Sequence, residues 1–201
     1  MDSYKDTSIV DLAGIVAEKL QQHDISVVLV GGLAVEIYSE NLYLTKDIDM
    51  VNTSYHPSVA INQAMREIGF TKKGRVYISD TTDICVEFPS APLSVGEELI
   101  QETTIIEVST GKIPILLAKD VIKDRLVAYF HWNDRPSLVQ AMAVMSKHEI
   151  DANELKAFFE TEGKMEEYAL IERLQMTIKA QSLSSMEEIE ALVVEWSIEQ
   201  L

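Results

Sequence analysis

The sequence predicts an α+β fold in which strands and helices share the first part of the chain and only helices follow. Val27 to Val30 is a short, β-branched apolar run that ends abruptly at glycine, which is typical of a buried strand. Asp47 to Met50 and Asp83 to Phe88 alternate apolar and polar residues, as expected for strands with one buried face. From Lys119 onwards these strand patterns stop and apolar residues recur at helical spacing.

This change of pattern predicts two domains. We expect an α/β domain over residues 1–117 and a helical domain over residues 118–201, packed on it. The first domain begins with an amphipathic helix over residues 7–22, for which Thr7 or Ser8 is a suitable N-cap. A second helix over residues 56–68 ends at Gly69. The later helices are predicted at residues 118–132, 136–148, 151–162, 164–180 and 185–199.

A glycine pair and an aspartate pair follow each other in the first domain. Gly31 and Gly32 separate the first strand from a short helix, where backbone can approach a ligand and free N–H groups can bind phosphate. Fourteen residues separate Gly32 from Asp47, and Asp47 and Asp49 share one face of the next strand. Two carboxylates on one face repel each other unless they are neutralised, and a divalent cation with oxygen ligands is the natural candidate.

The order of these features, with their spacing, resembles the signature of the polymerase-β-like nucleotidyltransferase superfamily. The resemblance implies a nucleotidyltransferase-type mixed β-sheet flanked by helices, followed by a C-terminal helical region. It also implies that a third carboxylate, on a later strand, joins Asp47 and Asp49. Glu87 is the first choice and Asp83 the alternative, because both lie on the polar face of the same predicted strand. Cys85 shares that face and is interpreted as a half-buried packing residue rather than a nucleophile.

A second stretch, over residues 116–141, admits a structural and a functional interpretation. Asp120 and Asp124 are like charges one helical turn apart, and Lys123 and Arg125 are close enough to separate them in a salt-bridged surface helix. The functional interpretation comes from resemblance to small bacterial nucleotidyltransferase-like proteins related to abortive-infection toxins, members of type IV toxin–antitoxin pairs. The similar helix of this chain comprises Asp120, Lys123, Arg125 and Ala128, followed by His131, Trp132, Asn133, Asp134 and Arg135. The resemblance implies that Lys123 contacts a phosphate and that the segment after the helix closes the site.

Composition excludes several classes of function. The chain of 201 residues has 33 acidic and 17 basic side chains, a net charge of −16, so a long nucleic-acid substrate is not favoured. Residues 149–201 alone hold 13 acidic and 4 basic side chains. The single cysteine excludes an internal disulfide and a cysteine-rich zinc site. We expect no membrane span and no export signal, and therefore a cytoplasmic protein.

The sequence thus predicts a metal-dependent nucleotidyltransferase that moves a nucleoside monophosphate group from a nucleoside triphosphate to a hydroxyl acceptor. Asp47, Asp49 and Glu87 would bind one or two Mg²⁺ ions, while Gly31, Gly32 and Lys123 would bind the nucleotide. The acceptor is unidentified, with a small molecule or a protein favoured over long nucleic acid.

Two other interpretations stay open. A catalytically silent nucleotidyltransferase-fold protein could bind or regulate a protein partner, as part of a toxin–antitoxin pair, through its acidic helical half. A structural protein in which both motifs are coincidental is the third.

Overall fold

The structure, a computed structural model, describes residues 3–199, with side-chain environments for residues 3–196. The chain divides into two compact units: residues 1–34, 44–94 and 99–117 form the first, and residues 35–43, 95–98 and 118–201 form the second. The strands are β1 (Val27–Val30), β2 (Asp47–Asn52), β3 (Thr71–Lys73), β4 (Val76–Ser79), β5 (Thr82–Glu87), β6 (Ser94–Val95), β7 (Glu98–Leu99), β8 (Thr103–Val108) and β9 (Gly111–Leu116). The helices are α1 (Ile9–Gln22), α2 (Gly31–Tyr38), α3 (Ser58–Glu67), α4 (Ala118–Trp132), α5 (Arg135–Lys147), α6 (Lys156–Thr161), α7 (Met165–Gln181) and α8 (Met186–Glu199), with a 3₁₀ helix at Ala152–Leu155.

The first unit is built on a seven-stranded mixed sheet with the strand order β3-β4-β5-β2-β1-β9-β8. The central strand β2 runs antiparallel to β1 and parallel to β5, and β1 runs parallel to β9. The outer pairs, β3 with β4, β4 with β5 and β8 with β9, are antiparallel hairpins. The predicted mixed sheet is therefore confirmed, and β2 lies at its middle.

Helix α1 covers the sheet of the first unit by packing against β9. It begins where predicted, because the Ser8 hydroxyl accepts a hydrogen bond from the Asp11 amide at 3.0 Å and so satisfies one of the first unpaired N–H groups. Its buried face and the apolar sides of the strands form the core of this unit: Leu12, Val16, Leu20, Leu29, Ile48, Met50, Val86, Ile113 and Ile115. Burial of these side chains is the main source of the unit's stability.

The second unit is helical, which confirms the predicted C-terminal helical region. Helix α5 is its centre and packs against α4, α7 and α8. Its core is formed by Leu126, Leu138, Met142, Met145, Phe159, Ile171, Leu174, Ile178 and Ile189. None of the helices within residues 3–199 combines the length and the apolarity that a bilayer span requires.

The helix predicted over residues 151–162 is wrong in detail, because a 3₁₀ turn, Ala152–Leu155, precedes a short α-helix. Side chains tie down the start of this turn. The Glu154 carboxylate accepts from the Asp151 amide at 3.0 Å, and the buried Gln175 side chain accepts from the Ala152 amide at 2.9 Å. These bonds replace the regular helical pattern that the apolar spacing predicted.

Candidate active site

The glycine pair lies at the junction of β1 and α2. Strand β1 ends at Val30, and the next residue, Gly31, already begins the helix with a φ of +66°. Val30 lies opposite Asp49 in the antiparallel β1–β2 pair. A Cβ atom added to Gly31 would lie 2.5 Å from Oδ2 of Asp49. Glycine is therefore required here twice, for its left-handed backbone and for the close approach of the Asp49 carboxylate.

The three predicted carboxylates lie on two neighbouring strands of the first unit. The parallel register of β2 and β5 pairs Asp47 with Cys85, Ile48 with Val86, and Asp49 with Glu87. Because Ile48 and Val86 are completely buried on one face, Asp47, Asp49 and Glu87 lie together on the other face.

Asp83, the alternative third carboxylate, lies elsewhere. It precedes the part of β5 that pairs with β2, its side chain is 91 % exposed, and its cationic partner is Lys46 at 3.8 Å. The strand register thus places Glu87, and not Asp83, directly beside Asp49.

The Glu87 and Asp47 carboxylates both contact neighbouring protein side chains. Glu87 Oε1 lies 3.5 Å from Nε of Arg75, and Asp47 Oδ1 accepts a hydrogen bond from the Cys85 thiol at 2.7 Å. Burial, the hydrogen bond to Asp47 and the nearby negative charges raise the pKa of Cys85 to about 11. The thiol therefore stays protonated at neutral pH, as a donor to Asp47 rather than a nucleophile.

The chemistry of this donor set fits a magnesium ion, since hard carboxylate oxygens on adjacent strand positions are the ligands it prefers. In their present orientations the Glu87 carboxylate is turned towards Arg75 and the Asp47 carboxylate towards Cys85. Among the described residues, no group of three or more His, Cys, Asp or Glu side chains is gathered closely enough to hold a metal. Binding would require rotation of the Asp47 and Glu87 side chains, and the Glu87 side chain is 29 % exposed and only weakly paired.

Lys123, predicted to contact a phosphate, belongs to the second unit, and its side chain is only 10 % exposed. Its Nζ atom lies 2.7 Å from Glu98 Oε2 and 3.3 Å from Asp120 Oδ1, and above the Phe158 ring. Arg125 pairs with Asp124 on the same helix, so the two like charges of α4 are each neutralised by the predicted neighbours. The phosphate contact of Lys123 stays a prediction.

The segment from His131 to Arg135, predicted to close the site, belongs to the second unit and spans the end of α4 and the start of α5. The His131 imidazole lies 3.4 Å from the Glu162 carboxylate, and Asp134 occupies the N-cap position of α5. Its closing role stays a prediction.

Sequence reasoning missed two residues at the carboxylate face. Arg75 belongs to a Lys-Lys-Gly-Arg segment whose charge was a usable signal, whereas its contact with Glu87 required the sheet. Cys85 was interpreted as packing only, because a strand pattern does not show which neighbour a thiol will meet.

Comparison with known proteins gives little further information. No protein-family model and no curated protein matches the chain. Among solved structures, the crystal structure of ANT(2")-Ia in complex with adenylyl-2"-tobramycin is similar to 67 % of this chain and 95 % of that chain, with 11 % identity and a TM-score of 0.37. A similarity at this TM-score does not identify an activity, so function has to be inferred from the carboxylate geometry.

Proposed function

We propose that this chain is a metal-dependent nucleotidyltransferase that moves a nucleoside monophosphate group from a nucleoside triphosphate to a hydroxyl acceptor. One observation carries the proposal. Asp47, Asp49 and Glu87 occupy neighbouring positions on one face of two parallel strands, and Gly31 approaches the Asp49 carboxylate so closely that a side chain at position 31 would collide with it. A purely structural sheet face would not require three adjacent like charges, which repel each other without a counter-ion.

The three carboxylates have distinct roles in this reaction. Asp47 and Asp49 would hold the metal from one strand, and Glu87 would hold it from the other and accept the proton of the acceptor hydroxyl. One or two Mg²⁺ ions, when bound, would neutralise phosphate charge and stabilise the attacking and leaving oxygens. The hydroxyl oxygen forms a bond to the α-phosphorus, the bond from that phosphorus to the bridging oxygen breaks, and pyrophosphate leaves.

The start of α2 would bind the phosphate chain. Gly31 and Gly32 present backbone N–H groups without side chains at the first turn of an eight-residue helix, where the helix dipole favours negative charge. The phosphate contact of Lys123 that the resemblance implies would require Lys123 to release Glu98 or Asp120.

Isothermal titration of each nucleoside triphosphate, with and without Mg²⁺, tests the proposal. We expect Mg²⁺-dependent binding by the wild type and a loss of at least about tenfold in Asp49→Asn, since changes to residues that merely support a metal ligand already cost about 10–100-fold. Glu87→Gln should behave like Asp49→Asn. Asp83→Asn is the matched control, because Asp83 lies on β5 like Glu87 but is exposed and is not paired with Asp49. It should leave the affinity for the nucleoside triphosphate unchanged. Binding that survives Asp49→Asn unaltered contradicts the site assignment.

The acceptor is proposed from charge alone. With 33 acidic and 17 basic side chains, the protein repels long nucleic acids, so a small molecule or a protein is the proposed acceptor class. A screen with labelled nucleotide would identify it by transfer of the label.

A second candidate function is a catalytically silent binding or regulatory protein. The observation that favours it is the occupation of two carboxylates, Glu87 by Arg75 and Asp47 by the Cys85 thiol. Membership of a toxin–antitoxin pair, which the sequence resemblance implies, belongs with this candidate and stays a prediction. Nucleotide binding without turnover against any acceptor, and without dependence on Mg²⁺, would support it.

A further inference from the structure

A group of basic side chains stands out in this acidic protein. Lys72, Lys73 and Arg75, with Gly74 between them, place three positive charges within four residues, and we call this segment the basic hairpin. It comprises the end of β3, which holds Lys72 and Lys73, and the turn to β4, which holds Arg75 and Gly74, the latter with a φ of +65°. All three basic side chains belong to exposed residues. The chain as a whole has about half as many basic as acidic residues, so such a concentration requires a reason.

The strand register brings the basic hairpin to the carboxylate face. Val76, the residue after Arg75, lies opposite Glu87 in the antiparallel β4–β5 pair. Arg75 Nε lies 3.5 Å from Glu87 Oε1, and its side chain is 89 % exposed. The guanidinium therefore contacts a proposed metal ligand while most of its hydrogen-bonding surface faces solvent.

We infer that Arg75 binds the β- and γ-phosphates of the nucleoside triphosphate at the carboxylate face. The inference rests on the proposed function and adds a phosphate-binding residue to it. Arginine suits this role because its planar guanidinium binds two phosphate oxygens at once. An exposed ion pair such as Arg75 with Glu87 contributes little to stability, so both side chains can exchange partners when metal and nucleotide bind.

Protection of a sheet edge is the competing explanation. Strand β3 is an edge strand, and lysines on edge strands prevent pairing with other chains. This explanation accounts for Lys72 and Lys73, which lie on β3 itself. It does not account for Arg75, which lies in the turn and contacts Glu87.

Titration with Mg²⁺ and inorganic tripolyphosphate tests the inference, because tripolyphosphate has the phosphate chain of a nucleoside triphosphate but no nucleobase. Inorganic phosphate, with a single phosphate group, is the comparison ligand. We expect Arg75→Gln to weaken tripolyphosphate binding about tenfold, the loss of about 1.4 kcal/mol, and to leave phosphate binding nearly unchanged. Arg75→Lys, which keeps the charge but not the planar group, should lie between the wild type and Arg75→Gln.

Lys112→Gln is the matched control. Lys112 lies on the hairpin at the other end of the sheet, is 66 % exposed and pairs with Glu107 at 3.0 Å, so it loses the same charge from a similar ion pair. Equal affinity of wild type and Arg75→Gln for tripolyphosphate overturns the inference. The proposed function stays intact in that case if Asp49→Asn still weakens nucleotide binding. Equal losses of tripolyphosphate affinity in Lys112→Gln and Arg75→Gln would show a general effect of charge, which also overturns the inference. A wild type that binds neither tripolyphosphate nor any nucleoside triphosphate overturns both proposals.

Discussion

Gly31→Ala is the most direct test of the contact between the glycine turn and Asp49. Alanine at a φ of +66° costs about 1–2 kcal/mol, because its Cβ meets the following carbonyl oxygen. The new Cβ would also lie 2.5 Å from Asp49 Oδ2, which forces that side chain out of its preferred rotamer at a further cost of about 0.5–1.5 kcal/mol. We therefore expect the free energy of unfolding to fall by about 1.5–3.5 kcal/mol.

Urea unfolding of matched variants separates the two contributions. Gly74 has nearly the same φ, +65°, but no atom lies within 4 Å of an added Cβ. Gly74→Ala should therefore lower the free energy of unfolding only by the backbone cost of alanine at this φ. When Asp49→Ala is already present, Gly31→Ala no longer meets the Asp49 carboxylate. Its effect on the free energy of unfolding should then approach that of Gly74→Ala. Equal destabilisation by Gly31→Ala and Gly74→Ala in the wild-type background would refute the close approach on which the site depends.

Three further predictions concern single side chains. The Cys85 thiol, whose pKa is raised to about 11, should react slowly with a disulfide reagent at pH 8, and Asp47→Asn should lower that pKa and accelerate the reaction, measured by thiolate release. The Asp11 carboxylate accepts hydrogen bonds from Ser109, which has the larger effect, and from Ser8, and these bonds lower its pKa. Their contribution to the free energy of unfolding is therefore complete above the ordinary aspartate pKa near 4. It is lost as the pH falls through the lower pKa that Asp11 has in the folded protein. Ser109→Ala should therefore reduce the free energy of unfolding by less than about 1 kcal/mol at pH 7 and by still less at pH 2 in urea titrations. Lys123→Ala leaves the largely buried Asp120 and the half-exposed Glu98 without their shared partner and should cost about 2–4 kcal/mol in the same assay. A cost near zero would contradict a stabilising role for the pair of Lys123 with Asp120.

Much of the fold could be predicted because local patterns report burial. The apolar run of β1, the period-two alternation of β2 and β5, and the helical spacing of the second unit each correspond to a described element. The predicted helix at residues 151–162 failed because the turn at its start is held by the side chain of Gln175, 23 residues from the Ala152 amide that it binds. The short β6 and β7 strands were also missed, since two residues are too few to show a period.

The sequence by itself determined which residue types the candidate site contains. Gly31, Asp47 and Asp49 could be selected because a strand's period places alternate residues on one face and because glycine between a strand and a helix marks a close backbone approach. The third carboxylate was implied by the family resemblance, and strand periodicity left both Glu87 and Asp83 open. Only the tertiary structure decided which of them are neighbours. The register of β2 against β5 sets Glu87 beside Asp49, 38 positions away in the sequence, and leaves Asp83 outside the pairing. Pairing across a sheet depends on the burial of whole faces and not on any local pattern, and for the same reason the contacts of Arg75 and Cys85 could be found only in the folded chain.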